Sequence, residues 1–130
     1  MGSVRLTENH FSTEDEALAE ITDRGWYGFA ADTPDQAGRD VLPIEAGGVG
    51  GTELHWHDFD SLTFVVDGTA RVVLEDGTVF ECGSGARLEA PARTLHTEFG
   101  SAGRVVIGFD RDLAELTQPV NKPASQLDRT

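Results

Sequence analysis

The sequence predicts an all-β domain, a sandwich or barrel, with one short helix near its N-terminus. Short runs with apolar residues in alternation follow one another at even spacing between residues 41 and 109, the pattern of an antiparallel meander rather than of βαβ units. Asp67-Gly68 and Asp76-Gly77 fall between such runs and favour tight reversals. The chain has 130 residues, 15 of them glycine, which suits one domain with one core.

The elements follow in order. Thr13 and Glu16 have capping-box spacing, and Glu14, Asp15 and Glu16 put acids at the positive end of a helix. Ala17, Leu18 and Ile21 form a short apolar face before Gly25, so a helix is expected from Glu14 to Arg24, preceding the core rather than forming it. Trp26 to Ala30 reads as a lead-in strand, and residues 1–40 as an N-terminal lead. The barrel core is expected over 41–110. Its strands are Val41–Glu45, Thr52–His57, Leu62–Val66, Ala70–Leu74, Thr78–Cys82, Arg87–Ala90, Thr94–Phe99 and Val105–Phe109. Residues 111–130 are expected as the end of a short helix beginning at Asp110, with Leu113 and Leu116 on one side, and then a tail.

Charge and composition narrow the function. With 23 acidic against 10 basic side chains the net charge is −13, which disfavours phosphate backbones and anionic lipid. The single Cys82 cannot form an internal disulfide, so a reducing cytoplasm is the expected setting and Cys82 reads as a buried strand residue. No apolar run approaches a signal peptide or a membrane span.

The histidines carry the chemistry. His55 and His57 lie two apart, so on a strand they face the same side with Cα atoms about 6.5 to 7 Å apart, close enough to share one metal ion. His96 follows Pro91 on a later segment that a meander can bring beside the first. Three imidazoles suit iron, zinc, nickel or copper and leave positions open for water or substrate. His10, in the polar leader, has no evident partner.

His55-Trp56-His57 followed by Gly68, and then Gly85, Pro91 and His96, resemble the paired motifs G(X)5HXH(X)3,4E(X)6G and G(X)5PXG(X)2H(X)3N of the cupin superfamily. The resemblance covers roughly residues 41 to 110. It implies a double-stranded β-helix, or jelly-roll barrel, and a divalent metal held by His55, His57 and His96. Iron(II) is favoured, with zinc, manganese or nickel as alternatives.

Several positions depart from the motifs. Val49 stands at the opening glycine, Arg93 at an internal glycine, Gly100 at the asparagine and Ser61 at the glutamate that usually ligates the metal. A serine hydroxyl replaces an anionic ligand poorly, so either a nearby carboxylate or an anionic substrate must complete the charge. By strand parity Glu53 shares a face with His55 and His57, and Glu98 shares one with His96; Asp60 adjoins the missing ligand but is out of phase, and Asp58 points away. Glu53 and Asp60 are preferred, and with Arg93 at the rim they make the expected catalytic set.

Thr63 and Val65 follow Ser61 to the inner face, and Arg71 and Val73 join them if their register holds; an inward Arg71 would suit a substrate carboxylate. Trp56 and Phe64 point outward, toward a second sheet or a second copy, and a homodimer is expected. The leading expectation is an iron(II) dioxygenase acting on a small anionic metabolite. The alternatives are a non-oxidative isomerase, lyase or cyclase, or a non-catalytic small-molecule-binding protein.

Overall fold

The structure is a computed structural model that describes residues 3–33, 46–50, 52–100, 103–116 and 119–127. In chain order the elements are β1 (Arg5–Thr7), α1 (Glu14–Asp23), β2 (Tyr27–Thr33), β3 (His55–Trp56), β4 (Ser61–Asp67), β5 (Ala70–Leu74), β6 (Val79–Cys82), β7 (Arg87–Ala90), β8 (His96–Gly100), β9 (Gly103–Phe109) and β10 (Lys122–Pro123). They form two five-stranded antiparallel sheets, ordered β1-β7-β4-β9-β2 and β10-β3-β8-β5-β6. The expected strand Val41–Glu45 lies outside the described residues. Among the described residues no helix is long and apolar enough to cross a membrane.

Helix α1 begins where its capping box places it. Thr13 Oγ1 accepts from the Glu16 N–H at 3.2 Å, and Glu16 Oε1 accepts from the Thr13 N–H at 3.1 Å. It ends in a Schellman turn: Gly25 adopts φ +80°, its N–H donates to Thr22 O, and the Trp26 N–H donates to Ile21 O.

The helix does not merely precede the core. Ala17 and Ile21 are fully buried with Leu62, Phe64 and Val106 on the outer face of the first sheet. Two glycines paired across β2 and β9, Gly28 and Gly108, make the seat. A Cβ on Gly108 would stand 2.8 Å from Ile21 Cδ1, so side chains here would lift the helix from the sheet.

Strand alternation then sorts the remaining core. Leu62 and Phe64 face α1, which leaves Thr63 and Val65 on the inner face. Between the sheets, Val65 and Leu88 from one pack with Val72 and Cys82 from the other. Burial pushes the Cys82 thiol up to about 11, helped by the charges of Glu81 and Glu8. With Val72 inward, Arg71 and Val73 face out. Arg71 is exposed and pairs with Glu81 at 2.7 Å, so the register that would have turned it inward does not hold.

Three further expectations change. Phe64 is buried under the N-terminal segment, with Phe11 edge-on to it at 5.4 Å between centroids. Trp56 is also buried, donating its Nε1–H to Pro123 O at 3.0 Å. Neither therefore supplies a face for a second copy. His10 has a partner in Glu20, at 2.6 Å.

Residues 119–127 do not form a loose tail. The expected short helix contracts to a 3-10 turn over Leu113–Glu115. Beyond it, Leu116 and Val120 are buried with Phe59 and Phe109, and β10 pairs with β3. Pro123 is tolerated because β10 is an edge strand.

Candidate metal centre

The centre grows from one point of strand register. His55 on β3 stands directly opposite His96 on β8, so both imidazoles leave the sheet on the same side. Two residues on from each, His57 and Glu98 return to that side by alternation. The ring centroids lie 4.3 Å apart for His55 and His96, 4.9 Å for His55 and His57, and 5.1 Å for His57 and His96. One nitrogen from each histidine and one carboxylate oxygen of Glu98 all fall within 4.8 Å of one another.

Hydrogen bonds decide which nitrogens face the centre. His55 Nδ1 contacts Glu53 O at 2.7 Å, His96 Nδ1 contacts Thr94 O at 2.7 Å, and His57 Nδ1 contacts Val120 O at 3.1 Å. A carbonyl oxygen only accepts, so each Nδ1 carries the proton and each Nε2 turns an open lone pair inward. His55 Nε2 is buried without a hydrogen bond, a costly condition for a polar atom. Such a set fits a divalent cation: three imidazole Nε2 atoms turned to one point, one carboxylate, and among them a buried nitrogen without a hydrogen bond.

Glu98 supplies the negative charge. Its carboxylate oxygens lie 3.4 Å from His55 Nε2 and 3.5 Å from His96 Nε2. Partial burial raises its pKa, but the two histidine contacts outweigh that and hold it well below the usual carboxylate range. His96 shows the reciprocal balance: burial lowers it, and the bond to Glu98 with its charge carries it above the usual imidazole value. His57 goes the other way, driven down to about 3 chiefly by burial. It is therefore neutral at physiological pH, the form that ligates metal. On its far side His57 stacks on Phe59 at 4.9 Å, and Phe59 meets Phe109 edge-on at 4.7 Å.

The structure brings His55, His57 and His96 together and adds Glu98, but not the expected catalytic set. The Glu53 side chain is exposed, and the residue contributes its carbonyl to His55. Asp60 is committed elsewhere: its Oδ1 accepts from the Ala92 N–H at 2.8 Å and so ties down the loop before β8. Arg93 is exposed and lays its guanidinium over the Trp56 ring at 5.5 Å. That ring alternates with His55 and His57, so Arg93 belongs to the outside of the sheet rather than to the rim. Ser61 sits in β4, opposite Ala90 and Phe109 in the other sheet.

Two contributors were under-read. Glu98 shared parity with His96 but ranked behind Glu53, although His96-x-Glu98 on β8 mirrors His55-x-His57. The Val120 carbonyl carried no sequence signal, since any residue has one.

No protein-family model and no curated protein matches the chain. Solved structures do. An acireductone dioxygenase from Bacillus anthracis, with a cadmium ion in its active centre, is similar with 18% identity and a TM-score of 0.58, over 83% of this chain and 78% of that one. A DUF861 family protein from Thermotoga maritima is similar with 13% identity and a TM-score of 0.50, over 82% and 99%. A cupin 2 domain-containing protein from Halorhodospira halophila aligns with 19% identity and a TM-score of 0.49, over 92% and 85%. Identities this low speak for the fold alone, and the fold agrees with the two packed antiparallel sheets and the inward histidines: the chain shares the jelly-roll fold of the acireductone dioxygenase and the DUF861 protein.

Proposed function

We propose that the protein is a mononuclear divalent-metal enzyme, an iron(II) dioxygenase acting on a small anionic metabolite. The observation that carries this reading is the convergence of His55, His57, His96 and Glu98 within 4.8 Å. These four residues would hold the ion. When bound, it supplies a Lewis-acid centre and, as iron(II), a partner for dioxygen. The similarity to an acireductone dioxygenase supports the oxygenase reading as an analogy of fold.

The chain's own residues prepare the site. Glu53 O, Thr94 O and Val120 O fix the three imidazole tautomers before any ligand arrives. Glu98 offsets one of the two positive charges of a divalent ion. The remaining unit favours an anionic substrate, which would bring the centre to neutrality. Phe59 and Phe109 form an apolar floor beside His57 and keep water from that side.

A second reading follows from Glu98 itself. A carboxylate at the centre reduces the need for an anionic substrate and can move a proton, as a non-oxidative isomerase or lyase requires.

The test starts with metal content after anaerobic reconstitution with iron(II), manganese, nickel or zinc, for the wild type, His55→Ala and His96→Ala. One equivalent in the wild type and a large loss in both variants is expected; equally little metal in all three would remove the basis of the proposal. Oxygen uptake by the iron-loaded protein with β-diketones, thiols and catechols then separates the two readings. Turnover that consumes substrate without consuming oxygen would favour the second.

A further inference from the structure

We propose that the C-terminal segment 119–123 is a positioning element of the metal centre, so that its seating and metal binding are thermodynamically coupled. The proposal rests on the metal reading above. It starts from a difference among the three histidines. His55 and His96 each bond the carbonyl two residues upstream, Glu53 O and Thr94 O, so their rings are set by their own strands. His57 instead bonds Val120 O, 63 residues away in sequence. The hydrogen bond that sets its tautomer is made only while that segment is in place.

Several contacts hold it there, among them those of Asn121, Pro123 and Val120. Asn121 exchanges two bonds with Val49: the Val49 N–H donates to Asn121 O at 3.3 Å, and Asn121 Nδ2 donates to Val49 O at 3.1 Å. The Trp56 indole donates to Pro123 O at 3.0 Å, and the two-residue strand β10 pairs Lys122 with Trp56 and Pro123 with His55. Val120 adds its side chain to the cluster of Phe59, Phe109 and Leu116. An edge strand of two residues is a weak attachment on its own. An ion bound through His57 Nε2 stabilises the ring orientation that the Val120 carbonyl also stabilises. By linkage each then strengthens the other. Partners that orient ligating histidines in this way are worth about 10- to 100-fold in metal affinity.

Asn121→Ala tests this without touching a histidine or the buried cluster. Cobalt(II) affinity is measured by calorimetry for the wild type, Asn121→Ala, His57→Ala and the double variant, with circular dichroism to check folding. Asn121→Ala should weaken binding about tenfold in the wild-type background and leave the weaker binding of His57→Ala unchanged. Equal affinity of Asn121→Ala and wild type, or the same loss in both backgrounds, overturns the coupling while leaving the metal centre standing. A wild type that binds no cobalt overturns both readings.

Hydrogen exchange gives a second measurement should Asn121→Ala fold poorly. Saturating cobalt should slow exchange in peptides spanning 119–127 in the wild type and not in His57→Ala. No slowing in the wild type, or equal slowing in both, refutes the proposal.

Discussion

Replacing Glu98 by Gln keeps the shape of the side chain and removes its charge. In the structure the carboxylate oxygens stand 3.4 and 3.5 Å from two histidine Nε2 atoms, so an ion held by those nitrogens lies within reach of the carboxylate. Two unit charges about 4 Å apart interact by about 4 kcal/mol at an effective dielectric of about 20, and a divalent ion doubles that. Because the Glu98 side chain is 46% exposed, solvent screening removes much of it. A loss of roughly 2–3 kcal/mol remains, or about 30- to 160-fold in affinity.

The assay is competition for manganese or nickel against a chelator of known affinity at pH 7.5, with thermal unfolding as the control for structure. Glu98→Asp, which keeps the charge on a shorter stem, should recover part of the loss. Wild-type affinity in Glu98→Gln would refute the assignment of charge compensation to Glu98. It would return weight to an anionic substrate as the source of the missing charge.

Three other outcomes follow from the fold. Gly108→Ala puts a methyl 2.8 Å from both Cδ1 and Cγ1 of Ile21 and should cost about 1–3 kcal/mol by overpacking; combined with Ile21→Ala, which removes both atoms, it should cost less than the sum of the two single changes in urea unfolding, whereas additive losses would contradict this seat for α1. Arg93 holds φ +67° while stacking on Trp56, so Arg93→Gly relieves the left-handed strain and Arg93→Ala does not; the glycine variant should be the more stable of the two by about 1 kcal/mol, and equal stabilities would count against the strain. Cys82, with its thiol pushed up to about 11 by burial, should resist thiol reagents at pH 8 until the protein is unfolded. Since its folded pKa exceeds the unfolded value, its contribution to stability is present below about pH 9 and falls as pH rises beyond it; rapid native-state labelling would show that the thiol is not enclosed.

Much of this architecture was legible because periodicity and turn chemistry are local. Strands β5 and β7 have the expected ends, Ala70–Leu74 and Arg87–Ala90, and α1 runs from its capping box at Glu14 to within one residue of the expected end. What escaped was short or non-local. Strands β1 and β10 have three and two residues, too few for alternation to register. The burial of α1 depends on Gly28 and Gly108 meeting across two strands that are far apart in sequence.

The placing of the carboxylates differs from the expected ranking for a related reason. Parity holds only while the chain stays extended. At Glu53 it does not: β3 begins at His55, and the Glu53 N–H closes a turn onto Gly50 O. At Glu98 the strand persists, so parity with His96 survives.

The position of Glu98 changes how the barrel divides its work. A ligand at residue 61 would draw on β4, in the sheet that α1 covers, so the ion would bridge both sheets. With Glu98 in its place, all four candidate ligands come from β3, β8 and the residue that follows β3, in one sheet. Their spacing is then set by a single antiparallel register, His55 opposite His96, and a slip of one residue would turn a pair of ligands to the outer face. The opposite sheet is freed from ligation and contributes the inner-face side chains Phe29, Thr63 and Ile107. Substitutions at those three positions should alter which molecule fits above the centre and leave metal affinity within a few-fold of wild type. Large losses of metal on changing Thr63 or Ile107 would instead mean that both sheets hold the ion.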